Sequence, residues 1–297
     1  MTKKIEKINL KEVRPLIREA VREDYGKGDV TSELFKKDNT LIKAEVVARE
    51  GIIVCGTVLI KEILKFYDLK LKVKVNIKDG EKAYSGDSIA TMTGPFCSML
   101  SAERVVLNFM QRLSGIATTT RKYVDEIKST NAKLYDTRKT IPGWRNLEKY
   151  AVRCGGGFNH RFGLYDAILI KDNHIAQLEN NLKSGLEKII KKVKKLKNIK
   201  FVEIEVDNLE QLKNILNIKG IEIILLDNMA PDLLKKAIKI KEKYCKNKKL
   251  LLEASGGINL KNIKNIAKTG VDRISSGAIT HSAISVDIGL DRKLIKI

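Results

Sequence analysis

From residue 130 onward, short apolar runs alternate with amphipathic ones, and this alternation limits the fold more than any other feature of the chain. The apolar runs cover 133–136, 167–170, 201–206, 221–226, 250–253 and 271–274. Nearly continuous apolar strands are buried on both faces, as in a parallel sheet covered by helices. The intervening segments read as those helices. Leu209, Leu212, Ile215 and Leu216 form one face after Asp207-Asn208. Pro231 holds a first-turn position before 233–244. Leu260, Ile263, Ile266 and Ala267 follow Asn259 and stop at Gly270, a C′ residue. The pattern predicts an α/β architecture with a parallel sheet inside and helices outside.

Polar or glycine residues end or follow each of these runs. In order they are Arg138 and Lys139, Lys171, Glu205, Asp227, Ser255-Gly256-Gly257 and Ser276-Gly277-Ala278. In a closed or nearly closed barrel such residues converge on one mouth, where barrel enzymes do their chemistry. The two glycine turns are expected to open helices over 258–268 and 279–284, and late-strand turns of this kind bind phosphate through backbone N–H groups. Arg138, Lys139, His160, Arg161 and Lys171 suit carboxylates and phosphates. His160 follows Gly155, Gly156, Gly157 and Asn159, and reads equally well as a core or capping histidine or as a site residue. His281, near a helix start, carries the same two readings. Glu205 and Asp227, with Glu203 on the same strand face as Glu205, suit Mg²⁺ or a developing positive charge. These residues imply a substrate with several negative charges held beside a metal. They do not identify the reaction.

The first half of the chain is organised differently. Val13, Leu16, Ile17, Ala20 and Val21 mark a helix over 11–22, and the following EDYGKGDVTS (23–32) reads as a polar surface turn. A strand over 41–48 and a helix over 57–67 come next. Leu71, Val73, Val75 and Ile77 alternate with polar residues, and a further strand covers 88–92. This β-rich unit ends at Gly94-Pro95. Residues 98–128 read as helical, with Val105, Val106, Phe109 and Met110 on the apolar face and a break expected at Ser114-Gly115. Arg104 reads there as a surface charge.

The formal net charge is +21, which admits nucleic acid, acidic small substrates or a lysine-rich solvated surface. Much of the lysine falls in amphipathic helical patterns, which favours the solvated face. Aromatic residues make up 5%, too few for a base-stacking platform. No run approaches a membrane span, and residues 1–15 lack the apolar core of a secretory signal. Cys55, Cys97, Cys154 and Cys245 are scattered, without metal spacing, and read as free thiols of a reducing cytoplasm.

Taken in order, DTRKTIPGWR, KYAVRCGGGFNHRFGLYDAILIKDNH, EIEVDNLEQL, IILLDNM, LEASGGI and GAITHS resemble quinolinate phosphoribosyltransferases. EDYGKGDVTS and SAERVVLNFMQRLSGIAT extend the resemblance through the N-terminal half. It implies an N-terminal α/β sandwich domain over 1–115, joined by the C-terminal segment 283–297, and an incomplete, open TIM-like α/β barrel over 116–282. It also implies transfer of phosphoribose from phosphoribosyl pyrophosphate (PRPP) to quinolinate with loss of CO₂, dependent on Mg²⁺ and on no organic cofactor. Thr137, Arg138, Lys139, His160, Arg161 and Lys171 would hold substrate anions. Arg104 would reach across from the partner of a homodimer with a shared site, which reverses its reading as a surface charge. Glu205 and Asp227 would stand by ribose and metal, and Ser255–Gly257, Ser276–Ala278 and His281 by phosphate. Lys139, Lys171, Glu205 and Asp227 would be the catalytic set. Trp144 and Ser276 depart from the family pattern, where smaller or more apolar residues are expected. Three other readings compete with this one. A paralogue of the same fold, of the molybdate-transport-associated type, would act on another acid. A barrel aldolase or decarboxylase would use Lys171 or Lys139 as a Schiff base. A basic nucleic-acid-binding protein is the non-enzyme alternative.

Overall fold

The structure, a computed structural model, describes residues 5, 7–34, 40–175 and 182–293. In chain order the elements are α1 (Leu10–Tyr25), α2 (Val30–Glu33), β1 (Leu41–Ala48), β2 (Ile52–Ile53), α3 (Thr57–Leu64), β3 (Lys72–Val75), β4 (Lys82–Ala83), β5 (Ser88–Pro95) and α4 (Phe96–Ile127). Then follow β6 (Lys133–Tyr135), α5 (Arg145–Cys154), β7 (Ile168–Ile170), α6 (Asp172–Ile175), α7 (Leu182–Val193), β8 (Val202–Val206), α8 (Leu209–Ile215), β9 (Ile223–Asp227) and α9 (Pro231–Tyr244). The chain closes with β10 (Leu251–Ser255), α10 (Ile263–Ala267), β11 (Arg273–Ser275), α11 (Ala278–His281) and β12 (Ile288–Lys293). Two compact units form, one from residues 1–121, 140–156 and 279–297, the other from 122–139 and 157–278.

The first unit is built on an antiparallel sheet ordered β12-β1-β5-β3, with the small ribbon β2-β4 beside it in sequence. β12 pairs with β1 along Ala48↔Ile288 to Lys43↔Lys293, so the C-terminal segment completes a sheet begun by the N-terminal one. Residues 294–297 of that segment lie outside the described residues. Helix α1 begins at Asn9, whose side chain accepts from the Lys11 amide and donates to Glu12, and it buries Val13, Ile17 and Val21. The expected surface turn over 23–32 is partly structured. Helix α1 runs on to Tyr25, and Asp29 caps α2 by accepting from the Thr31 and Ser32 amides and both the Ser32 and Ser101 hydroxyls.

The expected break at Ser114-Gly115 does not occur, because α4 runs unbroken from Phe96 to Ile127. The pair serves tertiary contacts instead. Ser114 clasps Cys55 with its hydroxyl, accepting from its amide at 3.0 Å and donating to its carbonyl at 3.1 Å. A Cβ on Gly115 would stand 2.1 Å from the Ile284 carbonyl oxygen, so the glycine lets the chain pass close to the helix. Trp144, one of the two departures from the family pattern, stacks on Phe109 at 4.8 Å between ring centroids.

In the second unit six parallel strands are ordered β6-β11-β10-β9-β8-β7. Five consecutive strands lie side by side, and the first strand pairs with the last. This is the order of a barrel opened between its first and second strands, an open TIM-like α/β barrel. The free edge of β6 is taken by an irregular segment: Phe158 donates to Leu134 and accepts from Asp136, and Tyr135 and Phe158 form an isolated parallel bridge. The segment just beyond Gly155–Gly157 is thus hydrogen-bonded to a barrel strand. All five residues of β8 are buried, as strands covered on both faces must be.

Candidate active site

The first barrel strand ends in a buried carboxylate that organises the loop opposite. Asp136, fully buried, accepts from the His160 amide at 2.8 Å and from the Asn159 side chain at 2.7 Å. A second carboxylate, Asp166, accepts from the amides of Phe162 and Gly163 and from Lys200. Burial alone would raise its pKa, but these bonds to the charged form hold it below the ordinary value. The segment carrying His160 and Arg161 is therefore pinned at both ends by hydrogen bonds to acidic side chains.

Arg161 is buried at 7% exposure, and its guanidinium donates to the Ala167 carbonyl. Burial, then the nearby Arg138, pulls its pKa down, while Glu203, Asp166 and Glu205 pull it up. The Arg138 guanidinium thus lies within electrostatic reach of Arg161. Two like charges held together this way form a place for an anion. Lys171, at the end of β7, lies 3.1 Å from Glu205 at the end of β8. Glu205 is held above the usual carboxylate range by burial, with Lys171 acting against this and Asp227 adding to it. Asp227, on the neighbouring strand end, is therefore close enough to sense Glu205. Lys139 is exposed, and its amide donates to the Thr137 hydroxyl.

The structure thus brings Arg138, Arg161, Lys171, Glu205 and Asp227 into electrostatic contact, with Thr137 and Lys139 on the loop that carries Arg138. Arg104 is exposed on α4, and exposed His281 contacts Ser282 through Nδ1; both belong to the first unit. The two glycine turns are ordered, but neither opens a long helix. The helix expected over 258–268 begins only at Ile263, because the Asn262 side chain accepts from the Asn259 amide and both asparagine side chains donate to the Gly257 carbonyl, and the second turn leads into the four-residue α11. Gly256 and Gly257 both adopt positive φ, and a Cβ on Gly256 would strike Asn228 at 2.1 Å. Ser276 donates its amide to Tyr135 and its hydroxyl to Ile258, so both groups are committed within the fold.

Beneath the cations lies a buried network that sequence reasoning passed over. His160 Nε2 stands 2.8 Å from Glu203 and 3.5 Å from Glu253. Arg273 pairs with Glu253 through Nε and lies 3.6 Å over the Tyr135 ring. Glu203 and Glu253 are fully buried. Burial and its like-charged neighbour Glu253 raise the pKa of Glu203. The imidazole and two carboxylates have the ligand types of a metal site, but the Arg273 guanidinium already supplies the cation. The signal was legible: Glu253 is a lone charge in an apolar strand run, Arg273 falls in another beside Asp272, and a buried charge must be paired.

An open parallel barrel sheet whose strand ends gather two guanidinium groups and a Lys–Glu pair defines a barrel enzyme for a substrate carrying several negative charges. Sequence models of the quinolinate phosphoribosyl transferase N-terminal and C-terminal domains match residues 29–114 and 116–291. The chain belongs to the quinolinate phosphoribosyltransferase family. A Bacillus subtilis protein named "Probable nicotinate-nucleotide pyrophosphorylase (carboxylating)" is 42% identical, over 96% of this chain and 94% of its own. The nicotinate-nucleotide pyrophosphorylase (carboxylating) of Mycobacterium leprae is 39% identical, over 94% and 96%. Among solved structures, the nicotinate-nucleotide pyrophosphorylase from Francisella tularensis superposes with a TM-score of 0.88 at 41% identity, covering 99% of this chain and all of that one. No helix among the described residues is long and apolar enough to cross a membrane.

Proposed function

We propose that this protein transfers phosphoribose from PRPP to quinolinate with decarboxylation, releasing pyrophosphate and CO₂ and leaving nicotinate mononucleotide for NAD biosynthesis. The observation that carries this reading is the meeting of Arg138 and Arg161 beside the Lys171–Glu205 pair, in a chain of this family. Quinolinate has two adjacent carboxylates, and two guanidinium forks with a lysine match that charge. Lys139 and the loops at Ser255–Gly257 and Ser276–Ala278 are assigned to the phosphates of PRPP. The amide and hydroxyl of Ser276 are committed within the fold, so that residue shapes the second loop.

The chemistry follows from charge. As pyrophosphate leaves, the anomeric carbon becomes positive, and Glu205 and Asp227 stabilise that charge. The pyridine nitrogen attacks the anomeric carbon and becomes quaternary. The bond from the ring to the neighbouring carboxylate then breaks, its electron pair remaining on the ring carbon beside the cationic nitrogen. CO₂ departs and that carbon takes a proton. Glu205 and Asp227 also fit Mg²⁺, since two nearby carboxylates leave most of its coordination sphere to water and phosphate oxygens. Bound there, the ion would neutralise the diphosphate; no organic cofactor is called for.

The family resemblance supports a homodimer in which each site takes Arg104 from the partner. Four free, buried cysteines support a cytoplasmic setting. The test is to incubate purified protein with quinolinate, PRPP and Mg²⁺ and identify the product by mass. Nicotinate mononucleotide that requires all three additions is the expected result. Its absence with folded protein would overturn the reading.

A further inference from the structure

His160 stands among the cations of the site, yet its ring is engaged on every side by this chain. Its Nδ1 accepts the Arg161 amide N–H at 2.8 Å. Its Nε2 faces Glu203 at 2.8 Å and Glu253 at 3.5 Å. Phe201 meets the ring edge-on at 5.3 Å between centroids, and the residue's own amide is held by Asp136. Nδ1 can accept that amide only while it carries no proton. Nε2, between two carboxylates, must carry one, or lone pairs would face each other.

We propose that His160 is a positioning residue: a neutral imidazole, protonated on Nε2, that fixes the backbone of Arg161 and so aims the guanidinium. In this role it carries no charge to the substrate and makes no bond to it. Glu203 and Glu253 face the ring from one side, and Arg273 pairs with Glu253. Burial opposes a charged ring, while Glu203 and Glu253 favour one strongly enough to raise its pKa. The second proton, however, would have to sit on Nδ1, directly against the Arg161 N–H. The charged ring is reached only by breaking the bond that sets Arg161. The inference rests on the reading of Arg161 as an anion-binding residue.

The test has two arms. In protein labelled with ¹⁵N-histidine, the ring of His160 is assigned among the three histidines by its loss in His160→Asn. At neutral pH one bare and one protonated ring nitrogen are expected, with the bare one unchanged at saturating quinolinate. Two protonated nitrogens in the free protein, or a proton gained on binding quinolinate, would overturn the proposal. This arm needs no turnover, so a protein that made no nicotinate mononucleotide would sink the functional reading and still decide the state of the ring. The second arm compares His160→Asn, whose amide oxygen can take the place of Nδ1, with His160→Gln, which reaches towards Glu203 only. Restoring the acceptor for a buried N–H should leave kcat/KM for quinolinate about tenfold higher in the Asn variant. Equal losses in the two variants, or a better Gln variant, would mean that the ring binds substrate itself.

Discussion

Glu205 shows what the site demands of single residues. It is buried at the end of β8 with Lys171 as its ion-pair partner, and its pKa is nonetheless raised, so the fold works against its charge. A carboxylate whose folded pKa lies above its unfolded one favours folding at low pH, and that contribution is lost as pH rises through the folded value. At neutral pH, ionised Glu205 therefore costs stability that the chemistry requires. Glu205→Gln is expected to raise Tm at pH 7, to lose this advantage as pH approaches the ordinary carboxylate value of 4.5, and to abolish turnover. Thermal melts across pH would check it, and a variant no more stable at pH 7 would contradict it. Arg161→Ala should lose most turnover with the fold intact, because no other cation among the described residues shares its buried place between Arg138 and Glu205.

Two positions show how elements depend on close approach and on pairing. In the middle of a 32-residue helix, alanine would ordinarily be preferred to Gly115 by about 1 kcal/mol. Here the added Cβ meets the backbone at Ile284, which cannot swing aside, and overpacking of this kind costs about 1–3 kcal/mol. The clash wins, and Gly115→Ala should lower Tm; an unchanged or higher Tm would show that the segment at Ile284 gives way. Between β10 and β11, Glu253 pairs with Arg273 across the register Glu253↔Arg273. Glu253→Gln leaves a buried guanidinium without its counter-charge, a loss of about 3–5 kcal/mol. Urea melts would measure it, and a loss under ~1 kcal/mol would mean that other groups already neutralise Arg273.

At the scale of the whole molecule, the proposed shared-site dimer is open to a complementation test. Arg104→Ala and Lys139→Ala chains, each inactive alone, should regain activity when mixed, because a hybrid dimer contains one site with both native residues. Recovery cannot exceed about one quarter of the wild-type rate if subunits exchange at random, since half of the dimers are hybrids and each has one intact site. No recovery, with exchange verified by mass, would place Arg104 outside the site.

Much of this organisation was legible before any coordinates. Period and turn chemistry are local properties, so the apolar runs at 201–206 and 221–226 could be read as β8 and β9, and Pro231 could be placed at the start of α9. Strand ends in a barrel converge for topological reasons, so Arg138, Lys171, Glu205 and Asp227 could be grouped without knowing a distance. Other features depended on groups far away in sequence. Gly115 signals a break by propensity but answers to Ile284, and the turn at Gly257 suggests a helix start until Asn259 and Asn262 claim its backbone. His160 reads as a cation beside Arg161 until Glu203, Glu253 and the Arg161 amide fill its ring positions. The sequence by itself determined which elements form and which charges reach the mouth, because those follow from periodicity and order along the chain. Only the tertiary structure decided which of those charges are already answered within the protein, because pairing depends on distances that no local pattern encodes.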